Sequence, residues 1–129
     1  MKALLLDTHA FLWWVSDDPR LSERARKAIG DAKTQIYFSA ISGFEIAVKA
    51  GLGRLPGMTH PETTIPRHLQ KNHFHGLELN LAAALGVHQL PNHHSDPFDR
   101  LLIAQAIAHK MPLVTRAAQM SAYDIQTVW

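Results

Sequence analysis

Ala3-Leu4-Leu5-Leu6-Asp7-Thr8 is the stretch that decides the fold. Four apolar residues run without a break and stop on an acid. A central strand of a parallel sheet is covered by helices on both faces, so it reads as a continuous apolar run and not as an alternating one. Leu113-Val114-Thr115, near the other end, has the same character. Ile36-Tyr37-Phe38 is a third candidate strand. Leu77-Glu78-Leu79 and residues 125–129 are weaker fourth and fifth candidates.

Helical patterns fill the intervals. Residues 9–16 are apolar on nearly all sides. Residues 21–29 follow Pro19 and precede Gly30, with Leu21, Ala25 and Ile29 on one face. Residues 41–50 are stopped by Gly51 and Gly53, and residues 66–74 and 81–87 give two more helices. Residues 97–110 are the clearest case, because Phe98, Leu101, Leu102 and Ala106 form a helical stripe. Residues 55–66, rich in proline, glycine and threonine, read as a loop inside one domain. Strands alternating with helices predict an α/β domain with a mostly parallel central sheet flanked by helices. Ligands of such sheets bind beyond the carboxyl ends of the strands. Asp7 and Thr115 each end a strand, so two distant segments are expected at one edge.

Composition limits the function classes. The chain has 129 residues, 47% of them hydrophobic and 19% charged, which suits one globular domain. It has no cysteine, which excludes disulfides and thiolate metal sites. A net charge of +2 and a pI near 9.2 permit an anionic partner without requiring one. No run approaches the ~20 apolar residues of a membrane span, and Asp7 interrupts the first run too early for a signal peptide. The expectation is a soluble, cytoplasmic protein with no membrane partner.

Three acids stand out, each with two readings. Asp7 follows a strand and is either a metal ligand or the N-cap of the next helix. Glu45 lies among Ile41, Phe44, Ile46, Ala47 and Val48, and is either a ligand or half of an i,i+4 pair with Lys49. Asp99 lies three residues after Asp96, which reads as an N-cap with Pro97 behind it; Asp99 then faces the positive end of the helix dipole. Acids beside apolar residues are costly to bury without compensation. Carboxylates that converge repel one another, and a hard divalent cation such as Mg²⁺ relieves that repulsion.

The histidine pair His93-His94 has no zinc-like spacing to other ligands, so a solvent-facing loop role is favoured over a metal role. Phe11, Trp13 and Trp14 share one short helix. A base-stacking platform is one reading. With no basic residues interleaved, core and protein interface are preferred.

Taken together, LLLDTHAFLWW (residues 4–14), SAISGFEIAVKAGLGRL (39–55), HHSDPFDRLLIAQA (93–106) and LVTRAAQMSAYDIQTVW (113–129) resemble, in order, the signature blocks of PIN domains, in particular the VapC-type ribonuclease toxins. The resemblance covers nearly the whole chain and implies one PIN domain over residues 1–129. It implies that Asp7, Glu45 and Asp99 bind Mg²⁺ or Mn²⁺ and that RNA is cleaved by metal-activated water. It places Thr8, Ser42, Arg100 and Thr115 behind the ligands or against phosphate, with Ser39 a weaker match, and Arg100 more a brace of the acids than a phosphate contact. It also implies a cognate antitoxin that wraps the toxin and directs a basic side chain into the acidic site. Residues 11–15 are the expected surface for that antitoxin or for a homodimer.

One departure stands out. The family usually carries a further acid in a TxD pattern, and here the pattern reads Thr115-Arg116-Ala117. Asp124, expected at the start of the last strand, is a poor substitute. A site with three acids holds a cation less tightly than one with four. The alternative reading is therefore a PIN-scaffold binding protein that retains antitoxin or RNA binding without turnover. A phosphatase-like α/β enzyme fits poorly, because Asp7-Thr8-His9 lacks a paired DxD and no GxxxxGK loop is present.

Overall fold

The computed structural model describes residues 2–129. Strands β1 (Lys2–Leu6), β2 (Thr34–Ser39), β3 (His75–Leu77), β4 (Leu113–Val114) and β5 (Thr127–Val128) form one all-parallel sheet in the order β3-β2-β1-β4-β5. Six α-helices connect them: α1 (Thr8–Val15), α2 (Glu23–Gly30), α3 (Ala40–Gly51), α4 (Pro61–Asn72), α5 (Leu81–Gly86) and α6 (Pro97–His109). Short 3₁₀ turns lie at Val87–Gln89 and Ala118–Ala122. Among the described residues no helix is long and apolar enough to cross a membrane.

The first apolar run is unbroken because β1 is the middle strand and both its faces are covered. Leu4 and Leu6 pack with Phe11, Ile29, Ile36 and Phe38 on one side. Leu5 packs with Leu102, Ile103 and Leu113 on the other. Register places Leu6 beside Phe38 and beside Val114. The next residue, Asp7, therefore emerges at the carboxyl edge, where its amide still donates to the Val114 carbonyl at 3.0 Å. Thr115 ends β4 at the same edge.

The sheet order creates a crevice there. Connections after β1 lead outward through β2 to β3, and those after β4 lead the other way to β5. Helix α1, which follows β1, buries Ala10 and Phe11 on one sheet face, whereas the turn after β4 buries Met120 on the opposite face. Chain segments that leave neighbouring strands toward opposite faces part at the strand ends, the usual ligand position in such folds.

Helix boundaries follow local chemistry. Ser22 caps α2 by accepting from the Ala25 amide, and Leu21, Ala25 and Ile29 are all buried. Ser39 caps α3 by accepting from the Ile41 amide. Asp96 caps α6 by accepting from the Phe98 and Asp99 amides, with Pro97 in the first turn, as its sequence suggested.

Two expectations are corrected. Helix α4 begins at Pro61, inside the stretch read as a loop, and Pro66 lies within it. Pro61 starts a helix well because its missing N–H is not needed in the first turn. Pro66 is tolerated because it and Glu62 are both exposed, so the carbonyl it leaves without an amide faces water. The last strand begins only at Thr127, so Asp124 precedes it. Asp124 lies in a hollow with Lys110, Met111 and Pro112, at the amino end of β4 and away from Asp7.

Phe11 is fully buried and packs its ring 4.3 Å from that of Phe38. Phe11→Ala is expected to lower stability by about 3–5 kcal/mol, read from the urea midpoint. A loss under 1 kcal/mol would contradict this account of the core.

Candidate active site

Asp7 combines the two roles its sequence left open. It caps α1, its Oδ1 accepting from the Ala10 amide at 2.7 Å, and its side chain is buried at the carboxyl edge. Burial pushes its pKa up, while the Thr115 hydroxyl, the Ala10 amide and the nearby His9 pull it down and Glu45 pushes it up again. Thr115 in turn accepts from the Ala117 amide at 3.1 Å, which ties the turn after β4 to the Asp7 corner.

Glu45 sits one and a half turns into α3, on the face turned toward α1. Its Oε1 accepts from the Thr8 hydroxyl at 2.6 Å, and its Oε2 meets Lys49 Nζ at 2.6 Å. The i,i+4 pair with Lys49 is present, but it is not an exposed surface pair: Glu45 is buried and Lys49 is partly exposed. Thr8 also lies 3.0 Å from the Ser42 hydroxyl. Ser39 is fully buried and donates to Gln105 of α6, whose amide group donates to the Glu78 carbonyl at 3.1 Å. Buried hydroxyls and amides need such partners, so Ser39 and Gln105 lock α3 against α6. Nothing in the sequence marked Gln105, because a lone glutamine in an apolar helix carries no motif.

Asp99 occupies the first turn of α6 with its side chain about a quarter exposed. Its pKa is pushed up to about 6, first by burial, then by Asp96, Asp7 and Glu45, while His94 opposes the rise. Nearby like charges raise a carboxyl pKa in this way. Among the described residues, however, no three Asp, Glu or His side chains converge tightly enough to enclose a metal ion as they lie. Both Glu45 oxygens are engaged, one by Thr8 and one by Lys49. The donor set of three carboxylates is of the hard-oxygen type that suits Mg²⁺ or Mn²⁺, and their mutual repulsion is what a divalent ion relieves.

Two expectations change. Arg100 does not brace the acids. Its guanidinium donates to the carbonyls of Val87, Leu90, Pro91 and His94 and to the Tyr123 hydroxyl, so it clamps the loop before α6. His94 is not a solvent-facing loop residue. Its Nδ1 lies 2.8 Å from the Tyr123 hydroxyl, and its buried Nε2 lies 3.5 Å from Asp99 Oδ2 without a hydrogen bond. His93 stays exposed with its ring edge-on to Tyr123.

The aromatic segment divides as well. Phe11 is core, while Leu12, Trp13, Trp14 and Val15 are half-buried against that core. Basic residues do meet Trp13, although none is adjacent in sequence: the guanidinium carbons of Arg20 and Arg116 lie 4.9 and 5.7 Å from its ring centre.

This fold is that of a PIN-type domain, and comparison with known proteins agrees. The family model described as PIN domain matches residues 4–125. Ribonuclease VapC22 of Mycobacterium tuberculosis is 32% identical over an alignment of 133 residues that covers 100% of both chains. The chain therefore belongs to the PIN-domain family, in its VapC branch. Among solved structures, VapBC2 from Rickettsia felis, bound to a DNA fragment from its promoter, superposes with a TM-score of 0.72 at 14% identity, covering 97% of this chain and 96% of the other. FitAcB from Neisseria gonorrhoeae superposes with a TM-score of 0.62 at 19% identity, covering 96% and 95%. At those identities the likeness shows the fold.

The raised Asp99 pKa sets a pH dependence. Below about pH 4 both folded and unfolded chains keep this proton, and the group contributes nothing. As pH rises toward about 6 the unfolded chain releases it first, so stability falls, and above about 6 the penalty is complete. Asp99→Asn is expected to be more stable than the parent at pH 7 by about 1–2 kcal/mol, with the gap closing at pH 4. Urea unfolding at both pH values checks it, and a variant no more stable at pH 7 contradicts it.

Proposed function

We infer that the chain, acting as one PIN domain over residues 1–129, is an endoribonuclease toxin that depends on Mg²⁺, with Mn²⁺ able to replace it. The observation that carries this reading is the burial of two carboxylates, Asp7 and Glu45, beside Thr8 at the carboxyl edge of the sheet, in a chain whose full-length relative is named a ribonuclease. Asp7, Glu45 and Asp99 would hold the ion. What a bound Mg²⁺ supplies is relief of charge on the phosphate and a more acidic water.

The remaining work falls to the protein. Thr8 and Ser42 fix the Glu45 carboxylate from one side, and Lys49 balances its charge from the other. Thr115 steadies Asp7. Arg100 holds the loop that brings His94 near Asp99. Its guanidinium is taken up by that loop's carbonyls, and a phosphate contact is not part of its role.

A basic antitoxin group is the natural protein partner for this crevice. Support comes from the Lys49–Glu45 pair, in which a cation already sits comfortably against one of the acids, and from the solved VapBC2 and FitAcB assemblies. A homodimer contact is better placed on α3 than on residues 11–15. Phe44, Val48 and Leu52 lie at i, i+4 and i+8 and are exposed, whereas Phe11 is sealed in the core. The competing reading, a binding protein without turnover, is favoured by Ala117 and by the engagement of both Glu45 oxygens.

Cleavage of structured RNA in Mg²⁺ decides between them. Asp7→Asn is expected to reduce cleavage roughly a hundredfold or more, beyond what loss of a group behind a metal ligand costs. Ala117→Asp is expected to raise it. Equal cleavage by parent and Asp7→Asn, or no cleavage even by Ala117→Asp, overturns the nuclease reading.

A further inference from the structure

Beside the acids lies a cluster that the cleavage chemistry does not use. Two hollows, of about 510 and 370 Å³, share one wall made of His9 and Trp13. The larger reaches Thr8, Lys49 and Arg20. The smaller reaches Asp7, Arg116 and Ala117, and so occupies the crevice where the chain parts after β1 and β4. His9 stacks on Trp13 with ring centres 5.3 Å apart and planes 28° from parallel. Trp129 meets the indole edge-on at 5.8 Å and fixes its tilt.

Charge at this wall is positive. Arg20 lies over the indole but is held by Asp18 at 2.8 Å. Arg116 is exposed and makes no ion pair among the described residues, yet its guanidinium sits near the same ring and borders Asp7's hollow. Alanine at position 117 leaves this hollow with a methyl group and a neighbouring cation where a carboxylate would repel a phosphate. A flat aromatic wall and an unpaired arginine match a nucleotide: the base has a π-face to stack, and the phosphate has a charge to place.

We propose that His9, Trp13 and Arg116 form a subsite for one nucleotide of single-stranded RNA, stacking its base on the His9–Trp13 wall and pairing its phosphate with Arg116 beside Asp7. This rests on the nuclease reading for the identity of the substrate, but not for the binding itself. Only an unstacked base can reach such a wall. Arg20 and Lys49 line the larger hollow on the far side of the wall.

The test is binding of a short single-stranded oligouridine in EDTA, followed by indole fluorescence. His9 and Arg116 are exposed, so their substitution leaves the core intact. Arg116→Ala and His9→Ala are each expected to weaken binding about tenfold, and Arg116→Ala to reduce the salt slope by about 0.7. Trp13→Phe, which keeps a ring, is expected to retain most of the affinity while losing the fluorescence change. In Mg²⁺, Arg116→Ala is expected to raise KM with little change in kcat. The subsite is overturned if the parent binds no oligonucleotide, if Arg116→Ala and His9→Ala bind as the parent does, or if Arg116→Ala loses only a protein partner. Binding that depends on these residues in a chain that fails to cleave supports the subsite and sinks the nuclease reading. Cleavage with an unchanged KM in Arg116→Ala does the reverse.

Discussion

Asp7 is a carboxylate kept where water scarcely reaches, and most of the molecule is arranged around that fact. Burial raises its pKa, and two neighbours work against that rise: the Ala10 amide, which donates to it at the opening of α1, and the Thr115 hydroxyl at the end of β4. Both neighbours are in place because β1 is the middle strand. Its two neighbours bring Thr115 and Ser39 to the same edge, and the helix it feeds turns its first amides back toward the acid. Shifting β1 by one residue would turn Leu5 onto the face of Leu4 and Leu6 and strip Asp7 of its partners.

Charge in the crevice is balanced asymmetrically. Glu45 has a dedicated cation in Lys49 and a dedicated hydroxyl in Thr8. Asp99 has neither. Only a histidine stands near it, at a distance too long for a hydrogen bond, and its pKa rises accordingly. Such an arrangement lowers stability at neutral pH, and proteins retain arrangements of this kind mainly at functional sites. Helix α3 is pinned to α6 through Ser39 and Gln105, and Arg100 pins the approach to α6. The poorly satisfied acid is thus carried by a rigid frame.

Much of this was legible in the sequence, because the decisive signals were local. The unbroken Leu4–Leu6 run, the caps at Asp7 and Asp96 and the Leu21, Ala25, Ile29 stripe each follow from spacing alone, and the PIN resemblance carried the family. What stayed hidden depended on neighbours far apart in sequence. Arg100 gave no sign that it would serve a loop and not the acids. His94 looked like a loop residue because its partner Tyr123 lies in another segment. Trp13 seemed to lack cations because Arg20 and Arg116 reach it only through the fold. Pro66 read as a boundary because a proline inside a helix is costly unless the carbonyl it orphans is solvated.

The ends of the sheet carry one more consequence. Its outer strands are only 3 and 2 residues long, β3 at His75–Leu77 and β5 at Thr127–Val128. Such stubs expose too few free backbone groups to recruit a foreign strand, so the sheet is guarded against edge-to-edge aggregation and amyloid-like growth.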